Sequence, residues 1–162
     1  MRYFLIIVTI SFFGCQQSNI AVVDINTLFN DFSYTKEMQA EFIEKTKGKK
    51  ASLDSLYQEL GHLEAAVNNI NSEELSAKFI VKRQEFQTRY DRFEAYKNQI
   101  TEDSDQKILT QLNQYIKDYA ESKEIDVILS NSKDDVSILY TSKSYNVTEE
   151  VLKFINSKYE GK

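Results

Sequence analysis

The chain has 162 residues and a formal net charge of −5, with 28% charged and 41% hydrophobic residues, a composition that suits one domain or a small domain with a long extension. The acidic balance argues against a nucleic-acid binder, which needs a basic face. The single Cys15 excludes an intramolecular disulfide, and the single His62 excludes a multi-histidine metal site.

Arg2 is followed by an apolar run from Phe4 to Phe13 and then by Gly14 and Cys15. One basic residue and about ten apolar ones are too short to cross a bilayer as a helix, and they fit a secretory signal. Ending in Gly-Cys, residues 1–15 resemble a bacterial lipoprotein signal, with Phe12 where a leucine is usual. That resemblance implies lipidation of Cys15 as a thioether, cleavage before it, and membrane attachment through the N-terminal lipid. The alternative is an ordinary signal peptide with an incidental cysteine. Residues 16–19 then form a short tether.

Ile20, Ala21, Val22, Val23 and Ile25 predict a buried strand, with Asp24 or Asn26 capping a brief helix through Leu28 and Phe29. Thr35 is placed to begin a long helix. Residues 45–50 of that helix contain no apolar side chain and include Gly48, whose cost of roughly 1 kcal/mol against alanine marks a weak point. This stretch reads as solvated, or as a basic patch for lipid headgroups or acidic segments.

Leu53, Leu56, Leu60, Leu63, Val67 and Ile70 then recur at three and four, the seam spacing of a coiled coil. A polar break over residues 68–72 follows, with Asn71 and Glu74 in the pattern of a helix cap with a reaching acid. A second rhythm runs through Leu75, Phe79, Phe86, Phe93 and Ile100. Two amphipathic helices joined by a polar turn predict an antiparallel hairpin, because each stripe needs a partner to leave water. Tyr57 and Tyr90 lie off the strict heptad. Together with Phe79, Phe86 and Phe93 they are the candidate residues for binding apolar segments, flanked by Lys78, Lys82, Arg83, Arg89 and Arg92. Beyond Ile100 the contact face drifts, which predicts packing onto a compact body through Leu109, Leu112, Tyr115, Ile116 and Tyr119.

The last forty or so residues change period. Residues 125–129 and 136–141 predict two strands of a β-hairpin across a polar turn. Asn146 or Thr148 caps a last helix with Val151, Leu152, Ile155 and Tyr159 on its inner face. The expected fold class is therefore α+β. A long antiparallel coiled-coil hairpin over residues 35–119, with its tip near 68–72, is inserted into a small β-rich body of residues 16–34 and 120–162. So small a core predicts a homo-oligomer, with open sheet edges meeting across subunits. The candidate oligomerisation residues are Val22, Val23 and Ile25 on the first strand and Val127, Ile128 and Leu129 on the second. Val136, Ile138, Leu139 and Tyr140 supply the third.

The order and spacing of these segments carry a resemblance over residues 20–156. The residues are Ile20 to Asp24 with Leu28 and Phe29, the charged hairpin, Ile125 to Leu129, Ile138 to Tyr140, and Asn146 to Leu152. They resemble the Skp (OmpH-like) periplasmic chaperones. The resemblance implies a homotrimer whose β-rich body carries three helical arms around a cavity for unfolded outer-membrane proteins, working without ATP. This chain departs from the best-known members in being acidic, with Glu59, Glu64, Glu73 and Glu74 near the tip, and in its lipoprotein signal.

Only four glycines occur, and no glycine-rich phosphate loop is present, so no nucleotide site is expected. His62, beside the Leu60/Leu63 seam, reads as a surface imidazole, and nothing calls for an enzyme, a metal or a cofactor. Three functions remain: a periplasmic holdase chaperone, an envelope coiled-coil adaptor lipoprotein with one defined partner, or membrane-associated envelope assembly through the basic patch of residues 45–50.

Overall fold

The computed structural model describes residues 18–132 and 137–161; the signal segment with Cys15, and Val136, lie outside the described residues. The chain runs β1 (Ile20–Asp24), α1 (Ile25–Asp31), α2 (Ser33–Asn69), α3 (Glu73–Ser122), β2 (Val127–Asn131) and α4 (Thr148–Glu160), with a 3₁₀ turn at Lys143–Tyr145 before α4. The class is α+β, with a helical hairpin between the two strands. At 1.5 Å per residue, α2 and α3 are about 56 and 75 Å long, from 37 and 50 residues.

β1 and β2 pair in parallel, Ile20 opposite Val127 and Asp24 opposite Asn131. The whole hairpin is their crossover, because parallel strands cannot be joined by a tight turn. The far side of β1 is met by Asn146 in a single bridge, with Val147 N–H donating to the Val22 carbonyl at 3.0 Å. Among the described residues no third strand follows. The expected strand over Ile138, Leu139 and Tyr140 is instead irregular chain, with Leu139 88% and Tyr140 85% exposed. Their β-forming character is real, but only Ile138 is half-buried, and Leu139 and Tyr140 find no apolar cover within the chain.

The body's core gathers Val23, Leu28, Phe32, Leu112, Tyr115, Tyr119, Val151 and Ile155 with Ile108, all nearly or fully buried. Each apolar side chain so covered contributes on the order of 1.5–3 kcal/mol. Leu112, Tyr115 and Tyr119 recur at three and four on α3, which is why that helix docks here. Leu109 does not join them and is 42% exposed, since it lies off that stripe. Asp24 caps α1 by accepting from Thr27 N–H at 3.1 Å. The cap position of α4 falls on Val147, neither Asn146 nor Thr148; Asn146 Oδ1, one residue earlier, accepts from Thr148 N–H at 3.0 Å, and the Thr148 hydroxyl in turn accepts from Asp24 N–H at 2.9 Å. These bonds sew the first strand to the last helix.

α3 ends in a Schellman turn: Ile125 N–H reaches the Ala120 carbonyl at 2.9 Å and Glu124 N–H the Glu121 carbonyl at 3.4 Å. Glu124 carries the left-handed position with a φ of 53°, where glycine is the usual occupant.

Candidate functional site: the aromatic flank of the arm

Leu53, Leu56 and Leu60 are the buried seam of α2, and Leu63 and Val67 are half-buried towards the tip. Ile70 is 55% exposed, because the seam ends where the chain leaves the helix. Opposite them, Leu75, Phe79, Phe86, Phe93 and Ile100 are half-buried. Two helices cannot enclose a seam on every side, so the large rings keep one edge in solvent. Antiparallel pairing is fixed by cross-helix contacts: Lys82 to Glu59 at 3.2 Å, Tyr57 to Phe86 at 5.8 Å between rings, and the Lys49 ammonium 4.8 Å from the Tyr96 ring centre.

The turn is capped by Ser72, whose hydroxyl accepts from Leu75 N–H at 3.4 Å, and not by Asn71 as the spacing predicts. Glu73 and Glu74 then both fall in the first turn of α3, where the helix dipole favours carboxylates. Through residues 45–50 α2 continues unbroken. Thr46 takes the inward position there, 8% exposed, and satisfies its hydroxyl on the Phe42 carbonyl at 2.8 Å. A β-carbon at Gly48 would meet open space.

On one flank of the hairpin lies a groove of about 840 Å³. Phe42, Ile43, Thr46, Leu53, Tyr57, Phe86, Tyr90 and Phe93 line it, with Lys47, Lys50, Lys97, Asp54 and Glu94 at its rim. Phe86 is the hinge of an aromatic ladder, 5.8 Å from Tyr57 and stacked at 6.0 Å on Tyr90. Tyr57 is 67% and Tyr90 44% exposed, as their off-heptad positions predict. The structure therefore brings together four of the five candidate binding residues, Tyr57, Phe86, Tyr90 and Phe93. Phe79 stands apart nearer the tip, half-buried, with the Arg83 guanidinium 5.9 Å from its ring centre.

Sequence reasoning missed the groove's lower end, Phe42 and Ile43. Ile43 is 64% exposed and off the seam, a signal readable as an apolar residue with no partner at three or four. The expected cations are largely committed elsewhere: Lys78 to Glu74, Lys82 to Glu59, and Arg89 to Glu85 at 2.7 Å. Lys97 is the cation beside Phe93, 5.2 Å from its ring centre. The opposite flank holds a smaller pocket of about 570 Å³ lined by Lys49, Ser52, Arg89, Arg92 and Tyr96.

The candidate oligomerisation residues divide. Val22 and Val23 are 5% and 2% exposed within the single chain, so their side chains are already covered by their own protomer. Ile25, Ile128 and Ile138 are half-buried. Val127 and Leu129, on β2 with its outer edge open, are each 42% exposed, and Leu139 and Tyr140 are exposed further along the chain. No cluster of His, Cys, Asp or Glu that could hold a metal ion occurs among the described residues, and no described helix is long and apolar enough to cross a membrane.

A small α+β body that projects a long two-helix arm with an aromatic flank defines a class of arm-bearing proteins. The chain belongs to the OmpH-like family: the profile of that family, described as outer membrane protein (OmpH-like), matches residues 19–155. Among solved structures, a candidate OmpH-like outer membrane chaperone from Caulobacter crescentus CB15 superposes with a TM-score of 0.53, covering 87% of this chain and 85% of that one at 13% identity. No curated protein sequence matches the chain.

Proposed function

We propose that the protein is an ATP-independent holdase chaperone of the cell envelope, which keeps unfolded outer-membrane β-barrel proteins from aggregating between the arms of a homotrimer. The observation that carries this reading is the groove on the arm, an exposed aromatic and aliphatic surface on a long helical hairpin. Family membership and the chaperone description of the Caulobacter relative support it. Unfolded barrel strands alternate apolar and polar residues, so each offers one apolar edge to such a groove. Many weak contacts on several arms would add by multivalency while each remains weak enough to release.

The trimer would form through the apolar surface at Val127, Leu129, Leu139 and Tyr140, with the 138–140 segment of one copy meeting the open edge of the next. Lipidated Cys15 would hold the assembly at a membrane facing the periplasm. Changing Cys15 to Ala should then release it from the membrane fraction. The deciding experiment is suppression of aggregation. A stoichiometric trimer without nucleotide should protect several unrelated denatured β-barrel proteins. An adaptor lipoprotein would leave all of them aggregating while capturing one species from the envelope.

A further inference from the structure

Phe32 interrupts the chain between α1 and α2: its ψ of 129° leaves the helical region, and its side chain cannot cap α2. A helix that starts this way leaves its first N–H groups without a local acceptor. The acceptor comes from the other end of the chain. Ser33 N–H donates to Asn156 Oδ1 at 2.8 Å, while Asn156 Nδ2 donates to the Asp31 carbonyl at 3.3 Å. One side-chain amide on α4 therefore closes α1 and opens α2.

Its neighbours extend the grip. The Ser33 hydroxyl donates to the Glu160 carboxylate at 2.9 Å, and the Tyr159 hydroxyl donates to the Glu37 carboxylate. On α3, Asp118 is paired with Lys158, and the Tyr119 hydroxyl donates to Glu150 at 3.0 Å. Beneath the junction the fully buried Phe32 ring is edge-on to Tyr34, Tyr115 and Tyr159 at 6.0, 6.1 and 5.5 Å. α4 thus touches the base of both arm helices at once.

We propose that α4 is a clamp at the base of the arm, with Asn156 the positioning residue that fixes α2 against α3 and so sets the direction of the hairpin. The charged contacts on α4 are exposed and individually weak. Asn156 differs because it bonds backbone groups on both sides of the break, where no local side chain serves. The proposal concerns how the arm is held, and it stands apart from what the arm grips.

The test uses the full chain with Cys15→Ser, spin-labelled at Glu44→Cys on α2 and Glu102→Cys on α3, both exposed positions, and diluted with unlabelled copies. Asn156→Ala should broaden the distance distribution between the labels and speed hydrogen exchange at the Ser33 amide by on the order of tenfold. Asn156→Asp keeps an acceptor for Ser33 N–H but loses the donor to the Asp31 carbonyl, so it should restore slow exchange at Ser33 while recovering the narrow distance distribution only in part. A distribution and exchange rate unchanged in Asn156→Ala, or equal loosening in both variants, would overturn the proposal. Should Asn156→Ala fail to fold, Tyr159→Phe removes only the bond to Glu37 and should still broaden the distribution. A narrow one would count against the clamp.

Discussion

Replacing Tyr57 and Tyr90 together by serine separates binding from folding. Tyr57 is 67% and Tyr90 44% exposed, so the fold uses only part of each ring. A tyrosine offers about 200 Å² for burial, which leaves roughly 130 and 90 Å² for a client to cover. At ~25 cal/mol/Å² that surface is worth about 3 and 2 kcal/mol gross. The cost of ordering client and side chains takes much of it, leaving a net loss of about 1–2 kcal/mol for the pair, or roughly five- to thirtyfold in affinity. On the folding side the variant forfeits the Tyr57–Phe86 and Phe86–Tyr90 ring contacts. Such pairs are worth about 0.5–1.5 kcal/mol each, a fall of a few degrees in Tm. The assay is aggregation of a denatured β-barrel protein at increasing chaperone, read beside circular dichroism melts. Full protection by the folded double variant would refute the assignment of the groove.

Two further substitutions test the body. Glu124→Gly relieves the left-handed backbone at φ 53° and should raise stability by about 0.5–1 kcal/mol, seen as a higher Tm; a lower Tm would contradict the Schellman assignment. Burial, and then the bond to Glu150, push the Tyr119 phenol up to about 12. A phenol raised in the folded state contributes stability below its unfolded value near 10, and that contribution is lost as pH rises towards 12. Tyr119→Phe should therefore be less stable than the parent by about 1 kcal/mol at pH 7, with the gap narrowing between pH 10 and 12 in denaturant titrations.

The arm was readable because its signals are local. Leu53, Leu56 and Leu60 keep seam spacing, and they are buried where that spacing puts them. Tyr57 and Tyr90 break the spacing and face solvent. The strand at Ile20–Asp24 and its Asp24 cap follow from residues a few positions apart. What escaped depends on partners far along the chain. Nothing near Val127 says that it pairs in parallel with Ile20, and nothing near Ser33 says that Asn156 will cap it. Ile138 to Tyr140 reads as a strand by composition, yet within a single chain it pairs with neither strand and stays irregular. Phe42 and Ile43 complete the groove only because α3 turns its aromatic flank towards them.

The native mass of the soluble chain lacking residues 1–15 tests the account most directly, because arms can enclose a client only if a shared body gathers them. Sedimentation equilibrium should return three times the protomer mass across micromolar concentrations. Leu139→Asp should shift it towards the single chain. A wild-type protein that sediments as a folded monomer would contradict both the interface and the caging of clients.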